Sequence, residues 1–82
     1  MNIIVRSPPQ MGAAIRRQRK LKSLTQTQLA EKTNMRQATI SQLEKGEGGV
    51  RLKTLTDVLA ALNLELVVQE RSTSAHSIED LF

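Results

Sequence analysis

Residues 25–46 read TQTQLAEKTNMRQATISQLEKG, and this stretch decides the fold. Thr25 followed three positions later by Gln28 is the pattern of a capping box. The hydroxyl accepts a backbone N–H in the first turn, and the amide side chain reaches back to the cap. Leu24 and Leu29 stand on either side of that cap in the positions of a hydrophobic staple. A helix is therefore expected over 26–32. Thr33, Asn34 and Met35 make a turn, in which Asn34 best tolerates a left-handed backbone. A second helix is expected over 37–45, with Gly46 in the place of an αL cap.

Apolar spacing fixes how these two helices meet. Leu29, Met35, Ile40 and Leu43 point inward, and Ala30 is small where the helix axes cross. With Ile40 and Leu43 buried, Gln37, Ala38, Ser41 and Gln42 fall mainly on the outer side. That side is uncharged, short and rich in hydrogen-bonding groups, which suits base edges in a DNA major groove.

The pattern TQ..LA.......ATIS.LEKG, followed by TL....AALNL, resembles helix-turn-helix proteins of the phage-repressor type, also called Cro/repressor or XRE proteins. Within that group the whole chain is most similar to HipB-type antitoxins, through RQATIS, the segment ending LNLEL and the polar tail. Two positions depart from the usual pattern. Asn34 stands where the turn Gly is common, and the linker GEGGVR lacks the Pro often found before the next helix. The resemblance implies a repressor that autoregulates its operon, with a near-palindromic double-stranded operator as one partner. It implies a serine/threonine kinase-like toxin as the other. A phage-type or restriction-controller regulator without a toxin is the alternative. An adjacent gene for a kinase-like toxin would distinguish the two.

The resemblance also implies a role for Gln26, whose counterpart in the family contacts a phosphate at the helix N-terminus, with Thr27 beside it. The second helix would enter the major groove. There Gln37 can make a bidentate contact with adenine N6 and N7, and the Ala38 methyl can touch a thymine methyl. Ser41 and Thr39 can reach a base edge or a phosphate; Ser41 is assigned to a base, and Thr39 and Gln42 to phosphates. Arg36 is placed for guanine or phosphate, and is grouped with the base contacts.

Length and composition agree with a small binding module. At 82 residues the chain is expected to hold one domain with a thin core, and Phe82 is its only aromatic. Oligomerisation is a common remedy for so small a core. There is no Cys, which excludes disulfides and thiolate zinc sites. No apolar run approaches a membrane span and no signal-peptide layout opens the chain, so the expected location is the cytoplasm. The first 71 residues hold all 12 Lys and Arg and six of the eight acidic residues, a balance of +6, whereas residues 72–82 carry −2. A basic body with an acidic tail fits a polyanionic partner, and fits mere solubility as well.

The flanks complete the expected architecture. Residues 2–5, Asn-Ile-Ile-Val, are β-prone and read as an edge strand or a disordered start. Ser7 and Pro8 can open a helix reaching about Lys22, with Met11, Ile15, Gln18 and Leu21 or Lys22 at helical spacing. Arg16, Arg17, Arg19, Lys20 and Lys22 crowd its end. Charge–dipole interaction accounts for part of that cluster. Phosphate contact, chiefly by Arg16 and Lys20, accounts for the rest. Leu55, Val58, Leu59 and Leu62 form the apolar stripe of a further helix over 52–62, stopped at Asn63. Leu64, Leu66 and Val68 alternate with polar or outward positions, as in a strand with one buried face. A lone strand leaves its backbone unsatisfied, so this one needs residues 3–5 or a second copy as partner. The expected fold is thus mainly α: four to five short helices with a helix-turn-helix, plus a C-terminal β-strand pairing across a homodimer. Residues 1–71 would form the DNA-binding and dimerisation domain, and 72–82 a flexible tail. In that tail Ile78, Leu81 and Phe82 have amphipathic spacing suited to a groove on the toxin.

No catalytic set, metal site or cofactor site is expected. Ser74, His76, Glu79 and Asp80 are neighbours only in a tail that would not hold them in place. The glycines at 46, 48 and 49 lack the preceding strand and the spacing of a dinucleotide fingerprint.

Overall fold

In a computed structural model, which describes residues 2–71, four helices follow one another: α1 (Pro8–Leu21), α2 (Gln26–Thr33), α3 (Gln37–Glu44) and α4 (Leu52–Ala61). The expected toxin contacts Ile78, Leu81 and Phe82 lie outside the described residues. Helices α2 and α3 pack on each other, α1 packs on α3, and α4 packs on α2. Ile15, Leu29, Ala30, Ile40, Leu43, Val58, Leu59 and Leu62 form the buried core. Burying an aliphatic side chain of this kind contributes about 1.5–3 kcal/mol. Met11, Leu24, Met35, Val50, Leu55 and Leu64 pack against it from the rim.

The first two helices start on side-chain caps. Ser7 accepts the Gln10 N–H at the start of α1, where Pro8 takes a position that needs no donor. At α2 the capping box is complete: Thr25 Oγ1 accepts the Gln28 N–H at 3.0 Å, and Gln28 Oε1 accepts the Thr25 N–H at 2.8 Å.

All four helices end in the same way. A residue with positive φ follows the last turn: Ser23 (57°), Asn34 (56°), Gly46 (77°) and Asn63 (59°). The next residue sends its N–H back five positions: Leu24 to Arg19, Met35 to Ala30, Glu47 to Gln42 and Leu64 to Leu59, at 2.8–3.3 Å. This is the Schellman ending, which satisfies carbonyls that have no partner within the helix. At three of the four ends the returning residue is apolar and partly buried against the core (Leu24, Met35 and Leu64), so each turn is also a packing contact. Asn34, Gly46 and Asn63 are legible in the sequence as left-handed stops. Ser23 is not, since serine has no particular ease in that region.

Close approach of α1 to the end of α3 needs a glycine. A Cβ on Gly12 would lie 2.5 Å from the Glu44 carbonyl oxygen and 2.6 Å from that of Leu43. Gly46 has the same role from the other side, since a Cβ there would run into the Pro9 backbone.

One expectation is corrected. The buried face of α1 ends on Arg19, not on Leu21 or Lys22, both of which are exposed. The reason is a specific acidic partner, described below. Neither residues 2–6 nor residues 64–71 form a strand in the single chain. Both segments line one groove, together with Met11, Ala14 and Leu59. Leu64 is half-buried, whereas Leu66 and Val67 are exposed and Val68 is fully exposed.

Candidate nucleic-acid interface

The site is the N-terminal half of α3 with the start of α2 beside it. Arg36, Gln37, Ala38 and Gln42 are exposed, and Thr39 and Ser41 are half-buried. Arg36 is the N-cap of α3 in an extended conformation, and its side chain makes no capping bond. At α2 the Thr25–Gln28 box satisfies one amide near the helix start. The N–H groups of Gln26 and Thr27 precede the intrahelical ladder and have no acceptor within the helix. They form the positive end of the helix dipole, where an anion such as a phosphate is favoured.

Gln26 and Gln37, eleven residues apart, meet across the turn. The Gln37 Nε2 donates to Gln26 Oε1 at 2.5 Å. Gln26 Nε2 in turn donates to Glu44 Oε1 at 3.1 Å. Glu44 is held by Arg19 in a bidentate ion pair, Nε to Oε2 at 2.6 Å and Nη2 to Oε1 at 3.0 Å. The remaining Arg19 nitrogen, Nη1, donates to the Leu24 carbonyl at 2.8 Å. The pair is almost entirely enclosed, with side-chain exposures of 9% for Arg19 and 3% for Glu44. The hydrogen bond to Glu44 raises the Arg19 pKa above its ordinary value; burial acts against this, and the Glu44 charge adds to it. Removing one member of such a pair leaves an uncompensated charge and costs about 3–5 kcal/mol.

The structure thus brings Gln26, Gln37 and α3 into one surface. Arg16 and Lys20 are exposed one turn apart on α1, a different helix from the recognition face. Thr27 is exposed beside Gln26. Arg19, expected as one of the five positive charges clustered at the end of α1, instead faces inward. Glu44 is absent from the expected site. One local signal for Arg19 exists, since it stands four residues after Ile15 on the same helical stripe. Its partner lies 25 residues away, a separation that local patterns do not reveal. Among the described residues no group of His, Asp or Glu is arranged to hold a metal, and no helix is long and apolar enough to cross a membrane.

Comparison with known proteins places this geometry in context. The helix-turn-helix family profile matches residues 15–69. Antitoxin HipB of Escherichia coli is 32% identical over 74 residues, which span 89% of this chain and 84% of that protein. Among solved structures, a HipA-HipB-O2-O3 complex includes a chain similar to this one with a TM-score of 0.79 and 30% identity, over 87% of this chain and 100% of that one. A HipB-O4 20mer complex gives the same figures, 0.79, 30%, 87% and 100%.

Proposed function

The chain belongs to the helix-turn-helix family and is related to antitoxin HipB, and on that footing we propose that it is a sequence-specific repressor and an antitoxin. In this reading it autoregulates its operon and binds a serine/threonine kinase-like toxin. The family is one of DNA-binding and antitoxin proteins and not of enzymes. The observation that carries the DNA-binding reading is the exposed start of α3, where Gln37 and Ala38 stand free of the core beside the open N-terminus of α2. Gln37 reads adenine, and Ala38 touches a thymine methyl. Ser41 and Arg36 add base contacts. Gln26, Thr27, Thr39 and Gln42 hold phosphates around the groove, and Arg16 and Lys20 extend the basic surface.

The protein acts as a two-fold dimer, with its recognition helices about 34 Å apart on a near-palindrome. Leu66, Val67 and Val68 are exposed on a segment that has no strand partner among the described residues, and Leu64 anchors that segment to the core. Pairing with the same segment of a second copy would satisfy its backbone and cover Leu66 and Val68. Residues 1–71 form the DNA-binding and dimerisation unit. Residues 72–82 carry Ile78, Leu81 and Phe82 to the toxin.

The likeness to HipB over most of both chains favours the antitoxin over a regulator without a toxin. The test is growth rescue with a co-expressed kinase-like toxin, beside a DNA titration of the same protein. Deleting residues 77–82 is expected to weaken neutralisation while leaving operator affinity nearly unchanged. Full rescue by the truncated chain would move toxin recognition to the body.

A further inference from the structure

We propose that Glu44 sets the base preference of the recognition helix by dictating, through Gln26, which way round Gln37 presents its amide. The inference rests on the reading of Gln37 as a base contact and assigns a new role to a residue that touches no base itself.

The argument is one of hydrogen-bond polarity. A guanidinium can only donate and an ionised carboxylate can only accept. Arg19 binds both oxygens of Glu44, so that carboxylate is fixed in position as well as in polarity. Gln26 must therefore offer Glu44 its NH2 group, as it does at 3.1 Å. That choice leaves the Gln26 carbonyl facing Gln37. Gln37 must answer with its own NH2, as it does at 2.5 Å. Amide orientation is ordinarily inferred from the surrounding network. Here the network begins at an ion pair that permits one polarity only, so every later link follows.

The consequence lies at the exposed end. Gln37 has spent one N–H on Gln26 and keeps one N–H and its carbonyl oxygen. A donor beside an acceptor matches adenine, which offers N7 as acceptor and N6 as donor in the major groove. With the chain reversed, Gln37 would spend its carbonyl on Gln26 and present two N–H groups. Two donors match guanine, whose N7 and O6 both accept. Glu44, enclosed behind Gln26, thus chooses between adenine and guanine.

Glu44→Gln tests this with little change in volume. The Arg19 Nε bond is the shortest of the pair, so the new side chain keeps its oxygen there and turns its NH2 toward Gln26. Gln26 then reverses, and Gln37 with it. The measurement uses the full chain and duplexes selected from a randomised pool by the unmutated protein, with single base pairs then exchanged. Gln37→Ala identifies the base pair that Gln37 reads, as the position where preference is lost. At that pair the unmutated protein is expected to favour adenine over guanine by about five- to a hundred-fold, the range of a bidentate contact. Glu44→Gln is expected to lower that ratio at least about ten-fold or to invert it, with the preferences at the other base pairs unchanged. If Glu44→Gln does not fold, Arg19→Met/Glu44→Leu replaces the pair with apolar side chains, a change that buried ion pairs often tolerate. It frees both orientations, so the ratio should approach one. An unchanged ratio in the variant that folds, with preference still lost in Gln37→Ala, overturns the role of Glu44 alone. No loss of preference at any position in Gln37→Ala overturns the base-reading assignment itself, and this inference with it.

Discussion

The helix-turn-helix and the two segments that flank the domain differ in how far a single chain completes them. Around α2 and α3 polar groups find partners within the chain: a capping box, a bidentate ion pair, and amides linked in series. No buried side-chain nitrogen or oxygen among the described residues lacks a hydrogen bond. Residues 2–6 and 64–71 are the reverse, with Ile4, Val67 and Val68 more than half exposed and no strand formed. The proposed reading surface is thus preorganised in the single chain, while the apolar edge is left exposed among the described residues. Affinity for a palindrome should depend on both, and local folding of the reading head on the first alone.

The largest effect that would break this contrast comes from Leu66→Lys. A charge on the face proposed to meet a second copy should give monomers and lower operator affinity by orders of magnitude, while the helical circular dichroism of the domain persists. Sedimentation equilibrium at micromolar concentration checks it. A stable monomer for the unmutated protein would remove the need for an edge partner.

Gly12→Ala tests the completeness of the reading head. Alanine improves helix propensity by about 1 kcal/mol. The added Cβ, however, meets two backbone carbonyl oxygens at 2.5 and 2.6 Å, and backbone yields little. Overpacking of this kind costs about 1–3 kcal/mol and should dominate, displacing the end of α3 that carries Glu44. Urea denaturation should show a lower midpoint; an unchanged or higher midpoint would mean that the α1–α3 approach is loose.

Neutralising Arg16 and Lys20 together should weaken specific and random DNA binding alike. The slope of log affinity against log salt should flatten by about one unit for each phosphate that is no longer neutralised. An unchanged slope would assign both residues to solubility and the helix dipole. The smallest effect belongs to Ser23→Gly. Serine at φ 57° carries a left-handed cost that glycine avoids, and relieving it should raise stability by about 0.5–1 kcal/mol. Thermal melting detects a change of that size in a domain this small.

What the sequence reveals follows the same division. Features set by neighbours in the chain are legible: the Thr25–Gln28 box, the left-handed Asn34 and Gly46, and the stripes through Ile40 and Leu43 and through Val58, Leu59 and Leu62. The outward face of α3 follows from those stripes by subtraction. Composition does not single out Arg19 among five positive charges in seven residues; only its place four residues after Ile15 marks it as inward-facing. Its partner Glu44 becomes visible only after α1 is laid on α3, which Gly12 permits. Alternation at Leu64, Leu66 and Val68 marks a face to be covered, but the described residues do not supply the cover.

The central claim is that α3 reads sequence through Gln37. Fluorescence-anisotropy titration of the unmutated protein and Gln37→Ala, on selected and on random duplexes at one salt concentration, tests it most directly. The account predicts a loss of about 1–3 kcal/mol on the selected duplex, with relaxed preference at one base pair in each half-site and little change on random DNA. Equal loss on both duplexes, or no loss on either, would contradict it.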